Sequence, residues 1–388
     1  MLIEVSYKLQ ILLGGLMPRR LQDRYRDRER KPKGKVLVSY MPLPVIGDAA
    51  DFRGHSNLWE SSEIVRIFNR LGYSVDLIHW RDTSFVPRGK YTAVFDIHGN
   101  LGRYAAPGIR TIFHVTGSNP EFSNRAEEER LAALRERRGV LLAPRRSIGG
   151  EELNIFSENL ERADSVTLIG NEVTAATFPD RLRGKIRPLI ATGSHMPVVR
   201  DLGSFRGGKE FLWFNGYGAV HKGLDLTLEV FARNPGLVLH LVGPYLKEKD
   251  FVSEYRRELC ELPNIRSHGF IYPGSGRFRA ITERVAAFVS PSCSEGISTS
   301  AITCMQYGMI PIISERSGIN LPQGVGTLLR DCSMEEIEAA VLETAAKGAG
   351  EIRDECARSQ SFAERAYSRA VFSREMEDAM LSCLQGEG

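Results

Sequence analysis

The feature that most constrains the fold of this chain is a repeated alternation of short apolar segments with amphipathic helical segments. Apolar segments such as Val36–Tyr40 and Thr111–Val115 alternate with helical patterns such as Leu58–Leu71 and Pro120–Arg138. The apolar segments lack polar alternation, which is typical of parallel strands covered on both faces. The same alternation begins again near residue 211. The sequence therefore predicts an α/β protein with two Rossmann-like, doubly wound domains that face a cleft.

We expect four parts along the chain: an N-terminal segment over residues 1–35, a first domain over 36–200, a second domain over 208–361, and helices over 362–388. The short, polar, Gly-rich stretch Leu202–Lys209 is the predicted linker. The 388 residues suffice for two domains. Ligands of open α/β folds bind at the carboxyl ends of the strands, so we expect the site in the cleft.

The N-terminal segment differs from the rest of the chain in its pattern of apolar and charged residues. Apolar residues from Leu2 to Leu16 recur at helical spacing, and basic residues then crowd between Arg19 and Lys35. An apolar stripe followed by a basic run is compatible with binding to an anionic membrane surface. A helix packed on the protein, followed by a solvated charged linker, explains the same pattern, and both interpretations remain open.

Composition excludes several classes. The net charge of +3 is too small to indicate a nucleic-acid partner. No run of about 18 apolar residues occurs, so no membrane span is predicted. The six cysteines form no CxxC pair and no zinc spacing, which favours small buried side chains in a reducing compartment. We therefore expect a cytoplasmic protein, with a peripheral place at the inner face of the membrane if residues 1–35 bind lipid.

The strongest motif is Pro291–Ser300, where a predicted strand turns into a helix. Ser298 or Thr299 can cap this helix, and free N–H groups at a helix N-terminus bind phosphate. Gly296 allows close approach of a ligand to the backbone. Glu295 does not suit phosphate, but its carboxylate can accept hydrogen bonds from the hydroxyls of a neighbouring sugar. A capped helix with an exposed glutamate is the alternative.

A glycine-rich stretch, Asn215–Gly223, follows the first predicted strand of the second domain and carries Lys222. Its spacing fits neither the dinucleotide-binding pattern nor the P-loop. A lysine beside an oligophosphate neutralises charge as a point cation. A simple turn explains the glycines equally well. However, this stretch and Glu295 are expected at the same end of the same sheet, which favours a binding site.

A third candidate is His114, at the end of a predicted strand in the first domain. There it is expected to face the cleft and to hydrogen-bond a substrate hydroxyl. A buried histidine bonded to backbone is the alternative. The sequence has no G-x-S-x-G elbow, no H-E-x-x-H and no D-x-D, so neither a serine hydrolase nor a metal site is predicted.

At these residues the chain resembles the retaining nucleotide-sugar glycosyltransferases of family 4, which have the two-domain GT-B fold. The likeness is clearest over Phe211–Ser314, through Gly216, Lys222–Leu226, Glu295–Gly296 and Gly308–Ser314. It extends more faintly into the first domain. The C-terminal helices resemble the segment that, in this family, crosses back onto the first domain.

The resemblance implies roles for the candidate residues. Lys222 and the N–H groups of Gly296–Thr299 would stabilise the diphosphate, Glu295 would hold the donor sugar, and His114 would lie on the acceptor side. These three side chains are the implied catalytic residues. The implied donor-binding residues are Gly216, Tyr217, Lys222, Gly296, Ile297, Ser298, Thr299 and Thr303.

The resemblance also implies the substrates. The donor is a nucleotide-diphosphate sugar, no cofactor or metal is needed, and the acceptor is a glycan or lipid-linked glycan, as in polysaccharide or lipopolysaccharide biosynthesis. The acceptor attacks on the face that the diphosphate leaves, which retains anomeric configuration without a protein nucleophile. Domain closure would exclude water from the donor.

Two positions depart from the family pattern. Tyr217 stands where an arginine is usual, and Thr303 stands where a second glutamate holds the nucleotide ribose. Each lost charge-assisted bond costs roughly 1.5–3 kcal/mol. His221 or Arg316 is a candidate replacement for the missing cation.

Two other functions stay open. One is a nucleotide- or glycan-binding protein with the GT-B fold and no turnover. The other is a sugar-nucleotide epimerase, which needs an acid and a base near the sugar. The mixed charges of Pro120–Arg138 are typical of a solvated face, and Arg145–Arg146 could contact an anionic acceptor.

Overall fold

Two largely parallel sheets form the framework of the protein, one from each half of the chain. The computed structural model describes residues 20–24, 31–42, 56–194 and 207–386. Apolar strands form the centre of both sheets and are buried, as their uninterrupted hydrophobic sequences require.

Within the described residues, the first sheet has seven strands. They are β1 (Arg20–Arg24), β2 (Gly34–Tyr40), β3 (Tyr73–His79), β4 (Ala93–Asp96), β5 (Arg110–Val115), β6 (Ser165–Ile169) and β7 (Ile186–Leu189). Their order is β1-β3-β2-β4-β5-β6-β7, and only β1 runs antiparallel to its neighbour. Because β3 and β4 lie on opposite sides of β2, the topological switch point lies at the carboxyl end of β2.

Six helices lie in the first half of the chain among the described residues. They are α1 (Ser56–Arg70), α2 (Leu101–Tyr104), α3 (Pro120–Arg138), α4 (Gly150–Arg162), α5 (Glu172–Ala175) and α6 (Asp180–Arg183). The long helix α3 matches its predicted bounds, because Asn119 caps its start and Gly139, with φ 73°, ends it. Helix α4 was not predicted, since it starts directly after Gly149, a residue that usually marks a turn.

The second sheet is parallel throughout and has six strands among the described residues. They are β8 (Glu210–Phe214), β9 (Val238–Val242), β10 (Ile265–Gly269), β11 (Ala287–Ser290), β12 (Ile310–Ser314) and β13 (Thr327–Leu329). Their order is β10-β9-β8-β11-β12-β13. The switch point lies at the carboxyl end of β8, between β9 and β11.

The helices of the second half follow the prediction with two corrections, one of them near the end of the chain, where the helical segment predicted from Phe362 begins at Ala349. They are α7 (Leu224–Arg233), α8 (Lys249–Glu254), α9 (Arg256–Cys260), α10 (Gly276–Thr282), α11 (Thr299–Gln306), α12 (Met334–Ala346), α13 (Ala349–Ala366) and α14 (Arg369–Gln385). The single helix predicted over Val252–Glu261 is wrong. Two short helices meet at Tyr255, whose backbone (φ −95°, ψ 24°) leaves the helical region.

The last helix returns to the first sheet. Helix α14 packs against α1 and β7. Trp59 and Phe372 meet edge to face at 5.4 Å, and Arg70 pairs with Glu377 at 2.7 Å. The apolar core under α1 therefore includes residues from the end of the chain.

Helix α3 belongs by sequence to the first half but packs on the second sheet. Leu134 is fully buried in the same hydrophobic core as Trp213. The Arg137 guanidinium lies 2.7 Å from the Asp225 carboxylate, and Arg138 pairs with two glutamates near α8 and α9. The prediction that the charges of α3 form a solvated face holds for Arg125 and Arg135, which are exposed, but is wrong for Arg137 and Arg138, which acidic residues of the second half neutralise.

The N-terminal basic run is partly folded onto the first sheet. Arg20 pairs with Asp82 at 2.5 Å, and Lys35 in β2 lies 3.0 Å from the buried carboxylate of Asp76. A solvated linker is therefore wrong for Arg20–Arg24, which form strand β1. The predicted apolar helix within residues 1–19, and residues 25–30, lie outside the described residues, and lipid binding there stays a prediction. No helix within the described ranges is long and apolar enough to cross a membrane.

Candidate active site

A cavity of about 480 Å³ lies where the carboxyl ends of the two sheets meet. This volume lies in the range typical of small-molecule sites. The second sheet contributes the loops after β8 and β11 and the start of α11. The first sheet contributes the start of α1, the last residue of β6 and residues that follow β5 and β7. Both switch points therefore open into one space.

A buried ion pair forms the centre of the second-sheet wall. The Lys222 ammonium lies 2.5 Å from a carboxylate oxygen of Glu295, and the two side chains are 9% and 12% exposed. Burial opposes ionisation of Glu295, but the surrounding positive charges, Lys222 above all, hold its pKa below the usual value. The carboxylate is therefore charged at neutral pH and can only accept hydrogen bonds.

A buried carboxylate fixes the glycine loop after β8. Glu248 accepts the backbone N–H groups of Gly218 and Ala219 at 2.9 and 3.1 Å. Gly223 has φ 69°, and a Cβ there would lie 2.5 Å from the Pro291 carbonyl oxygen. The loops after β8 and β11 pack closely here, which brings Lys222 to Glu295. This packing therefore requires glycine at position 223.

The start of α11 borders the cavity next to this pair. The Ser298 hydroxyl caps the helix by accepting the N–H of Ala301 at 3.3 Å. Thr299 and Ser300, the first two helical residues, line the cavity. Their N–H groups belong to the turn that has no intrahelical acceptors and carries the positive end of the helix dipole. An anion in the cavity can therefore be bound there.

Eight of the ten residues predicted for the site border this cavity. They are Gly216, Tyr217, Lys222, Glu295, Ile297, Ser298, Thr299 and Thr303. Tyr217 is 40% exposed, whereas the Thr303 hydroxyl already donates its hydrogen to the Thr299 carbonyl and accepts the N–H of Ser194. Thr303 thus has little capacity left for a ribose.

Gly296 does not line the cavity, contrary to its predicted role. A Cβ there would lie 2.5 Å from the Ile169 carbonyl oxygen and 2.9 Å from that of Thr116. The Gly296 carbonyl also accepts the Thr174 hydroxyl at 3.0 Å. The missing side chain serves contact with the first sheet, not approach to a ligand.

His114 is also absent from the cavity wall. It is fully buried, stacks on Phe95 and contacts the Thr167 hydroxyl at 2.8 Å. Its other ring nitrogen lies 3.3 Å from Glu60. The expectation that His114 faces the cleft is wrong, because the polar group that borders the cavity at this point is the Glu60 carboxylate.

Sequence reasoning missed Glu60, although a signal for it exists. Glu60 lies four residues before Ile64, on the face of α1 that the sequence marks as apolar. Its carboxylate also accepts the Tyr40 hydroxyl at 2.7 Å. A carboxylate on the apolar face of a helix beside a switch point is a candidate functional group.

Neither His221 nor Arg316, the two predicted replacements for the missing cation, places a positive charge at the cavity. Burial and the charge of Lys222 lower the pKa of His221 to about 4, so the imidazole is neutral near pH 7. Arg316 points to the Cys293 carbonyl and the Phe122 ring and does not border the cavity. No group of three potential metal ligands occurs among the described residues.

Comparison with known proteins gives fold neighbours only. No protein-family model and no curated protein matches the sequence. Sucrose-phosphate synthase from Thermosynechococcus elongatus aligns with a TM-score of 0.62 at 15% identity, covering 92% of this chain and 100% of that chain. Anabaena HepE in complex with UDP-glucose aligns with a TM-score of 0.57 at 12% identity, covering 90% of this chain and 100% of that one.

Staphylococcus aureus TarM, in complex with UDP, fondaparinux and alpha-GlcNAc-glycerol, aligns with a TM-score of 0.55 at 12% identity over 75% of this chain. The match spans 55% of the TarM chain, about half its length. These neighbours share the two facing Rossmann-like domains.

The chain has the GT-B fold.

The predicted fold class is thereby confirmed. Membership of family 4 and the retaining stereochemistry stay predictions, since identities of 12–15% support the architecture alone.

Proposed function

We propose that this protein transfers a sugar from a nucleotide-diphosphate sugar to a glycan or lipid-linked glycan acceptor, with retention of anomeric configuration. The observation that carries the proposal is the buried Lys222–Glu295 pair beside the N-terminus of α11, in the cavity between the two sheets. A cation and helix N–H groups suit a diphosphate, and an ionised carboxylate suits sugar hydroxyls. HepE, a neighbour of the same fold, binds UDP-glucose, which supports the donor class.

The second-domain wall supplies the chemistry at the donor. Lys222 and the N–H groups of Thr299 and Ser300 stabilise the negative charge that builds on the leaving diphosphate. Glu295 accepts hydrogen bonds from the donor sugar and orients it. The bond between the anomeric carbon and the phosphate oxygen breaks as the acceptor oxygen attacks from the same face. The acceptor proton passes to the leaving phosphate oxygen, so no protein nucleophile is needed.

The first-domain wall supplies the acceptor side. Glu60 borders the cavity, and Tyr40 and His114 both contact the same oxygen of its carboxylate. The rest of the carboxylate is available to accept a hydrogen bond from an acceptor hydroxyl. We therefore assign Glu60 to acceptor binding and His114 to positioning Glu60.

The donor is tested by thermal unfolding with nucleoside diphosphates and nucleotide sugars, each with and without magnesium. A ligand at 100 times its Kd stabilises the folded protein by about 2.7 kcal/mol. A selective shift that is lost in Lys222→Ala supports the donor site. Identical curves with every nucleotide would contradict the proposal.

Product analysis then tests the reaction. With the identified donor and a panel of glycan acceptors, NMR of the product should show the anomeric configuration of the donor. An inverted product would refute the retaining mechanism while leaving the transferase activity in place.

Two observations keep other functions testable. Tyr217 and the engaged Thr303 hydroxyl weaken the donor site, which favours a binding protein without turnover. Glu60 and Glu295 border the same cavity, which is the pair of carboxylates an epimerase needs. Donor binding without any product would support the first function, and an epimerised nucleotide sugar would support the second.

A further inference from the structure

The proposed donor site has a deficit of positive charge. A diphosphate carries at least two negative charges, but the charge of Lys222 is already balanced by Glu295 at 2.5 Å. Tyr217 brings no charge from the glycine loop, and His221 is neutral near pH 7. Binding of a diphosphate here therefore calls for a further cation at the cavity.

Arg146, in the loop between α3 and α4, borders the cavity on the side of the glycine loop. Its aliphatic stem packs on Gly218, where an added Cβ would lie 2.8 Å from the Arg146 Cγ. In the part of the chain that the structure describes, its guanidinium has neither a hydrogen-bond nor an ion-pair partner. The side chain is exposed, so a ligand can reach it.

The loop that carries Arg146 is fixed by buried acidic groups. The Glu127 carboxylate, 1% exposed, accepts the N–H groups of Arg145 and Arg146 and the hydroxyl of Ser147. The Arg145 side chain pairs with Asp250 and lies 3.7 Å from Glu248, the carboxylate that holds the glycine loop. Arg145 is thus a structural residue. Within the described residues the Arg146 guanidinium makes no hydrogen bond, and its charge is close enough to Glu295 to help lower the pKa of that carboxyl.

We propose that Arg146 is the second cation for the diphosphate of the donor, supplied by the loop between α3 and α4 in place of an arginine at position 217. The assignment rests on the proposed function. A planar guanidinium binds two phosphate oxygens in a fixed parallel geometry, whereas a lysine ammonium acts as a point charge without that geometry. The diphosphate then contacts a loop that belongs to the first half by sequence but packs on the second domain, through Gly218, Glu248 and Asp250.

The test measures Kd by calorimetry for uridine, adenosine and guanosine diphosphates, with the matching nucleosides as probes that lack phosphate. We expect Arg146→Ala to weaken binding of the preferred diphosphate at least about tenfold, which corresponds to 1.4 kcal/mol. Arg146→Lys should keep part of the affinity. Binding of the nucleoside should change less than about threefold, because the base and ribose do not contact this side chain.

Arg135→Ala is the matched control, since Arg135 is exposed on α3 and does not border the cavity. It should bind the diphosphate like the wild type. Adding Tyr217→Arg to Arg146→Ala should restore most of the lost affinity, because the charge returns from the neighbouring glycine loop. A merely structural role of Arg146 would not be rescued in this way.

Two negative results are distinguishable. If the wild type binds the diphosphate and Lys222→Ala weakens it, but Arg146→Ala equals Arg135→Ala, the assignment of Arg146 is wrong and the donor site stands. If the wild type binds no nucleoside diphosphate, the proposed function fails and the assignment of Arg146 fails with it.

Discussion

The two walls of the cavity position their charged side chains in different ways. The second-domain wall carries its charges on loops that directly follow β8 and β11, and Lys222 and Glu295 neutralise each other there. The first-domain wall carries Glu60 on a helix, held by Tyr40 and His114 from β2 and β5. The first arrangement depends on short segments of sequence, whereas the second depends on contacts between distant segments. Variants on each wall should therefore change different properties.

The largest effect is expected from Lys222→Ala. It leaves the Glu295 carboxylate buried without its partner, which costs roughly 3–5 kcal/mol of folding free energy. It also removes the charge at the diphosphate, so kcat/KM should fall at least about tenfold. Chemical denaturation and steady-state kinetics measure the two effects. The double variant Lys222→Ala/Glu295→Ala should regain stability but not activity; an equally unstable double variant would contradict the pairing.

The second largest effect is expected on stability, from a variant of α3, the helix that belongs by sequence to the first half and packs on the second. Arg137→Ala removes the nearest cation from Asp225, which is fully buried and has one carboxylate oxygen without a hydrogen bond. We expect a loss of roughly 2–3 kcal/mol in the free energy of unfolding. Arg135→Ala, at an exposed position of the same helix, should change the free energy of unfolding by less than about 0.5 kcal/mol. Equal values for both variants would show that the Arg137–Asp225 pair does not stabilise the fold.

On the first-domain wall, Glu60→Gln should lower transfer about tenfold and leave the Kd for the donor unchanged. The reason is that Glu60 faces the proposed acceptor and not the diphosphate. His114→Ala should have a smaller effect in the same direction, since it acts by positioning Glu60. Transfer rates and donor titrations on both variants provide the measurement. A Glu60→Gln variant with weakened donor binding would place this carboxylate at the donor instead.

The smallest effect is a pH dependence of stability. The unfolded chain binds a proton at His221 near pH 6.5, whereas burial and Lys222 lower the folded pKa to about 4. The unfolded state therefore takes up the proton first, and stability falls as pH drops from about 6.5 towards 4. His221→Gln should reduce this loss by about 1 kcal/mol between pH 6.5 and 5.5.

His268 provides the comparison for His221. Its pKa is also lowered to about 4, mainly by burial, but it lies in β10 and does not border the cavity. His268→Gln should change the pH dependence of denaturation in the same direction and leave donor binding as it is. Identical pH profiles for the wild type and both variants would refute the buried, neutral state of these imidazoles.

The same contrast explains what could be predicted. The strands and the loops around Lys222 and Glu295 follow from local patterns, because an apolar strand, a glycine turn and a helix cap each need only a few neighbouring residues. Glu60 and Arg146 could not be assigned in this way, since their surroundings come from residues distant in sequence. His114 was assigned to the cavity wall because strand ends meet there, but its side chain points into the interior.

Strand β1 and helix α3 were misjudged for a related reason. A basic sequence indicates solvent only when no acidic partner is near, and Asp82 and Asp225 become neighbours of Arg20 and Arg137 only after folding. Charge patterns in a single segment therefore constrain structure less than apolar patterns do.

The burial of Leu134 in the core of the second domain has a consequence for the order of events during synthesis. Helix α3 leaves the ribosome before any strand of the second sheet has been synthesised. Leu131 and Leu134 of the helix, and Val140 just after it, then have no apolar partners from the second domain. A polypeptide cut between the two sheets would leave one product with an uncovered apolar stripe and the other with an unfilled groove. Co-expression of both pieces should therefore yield material of far better solubility than either piece alone.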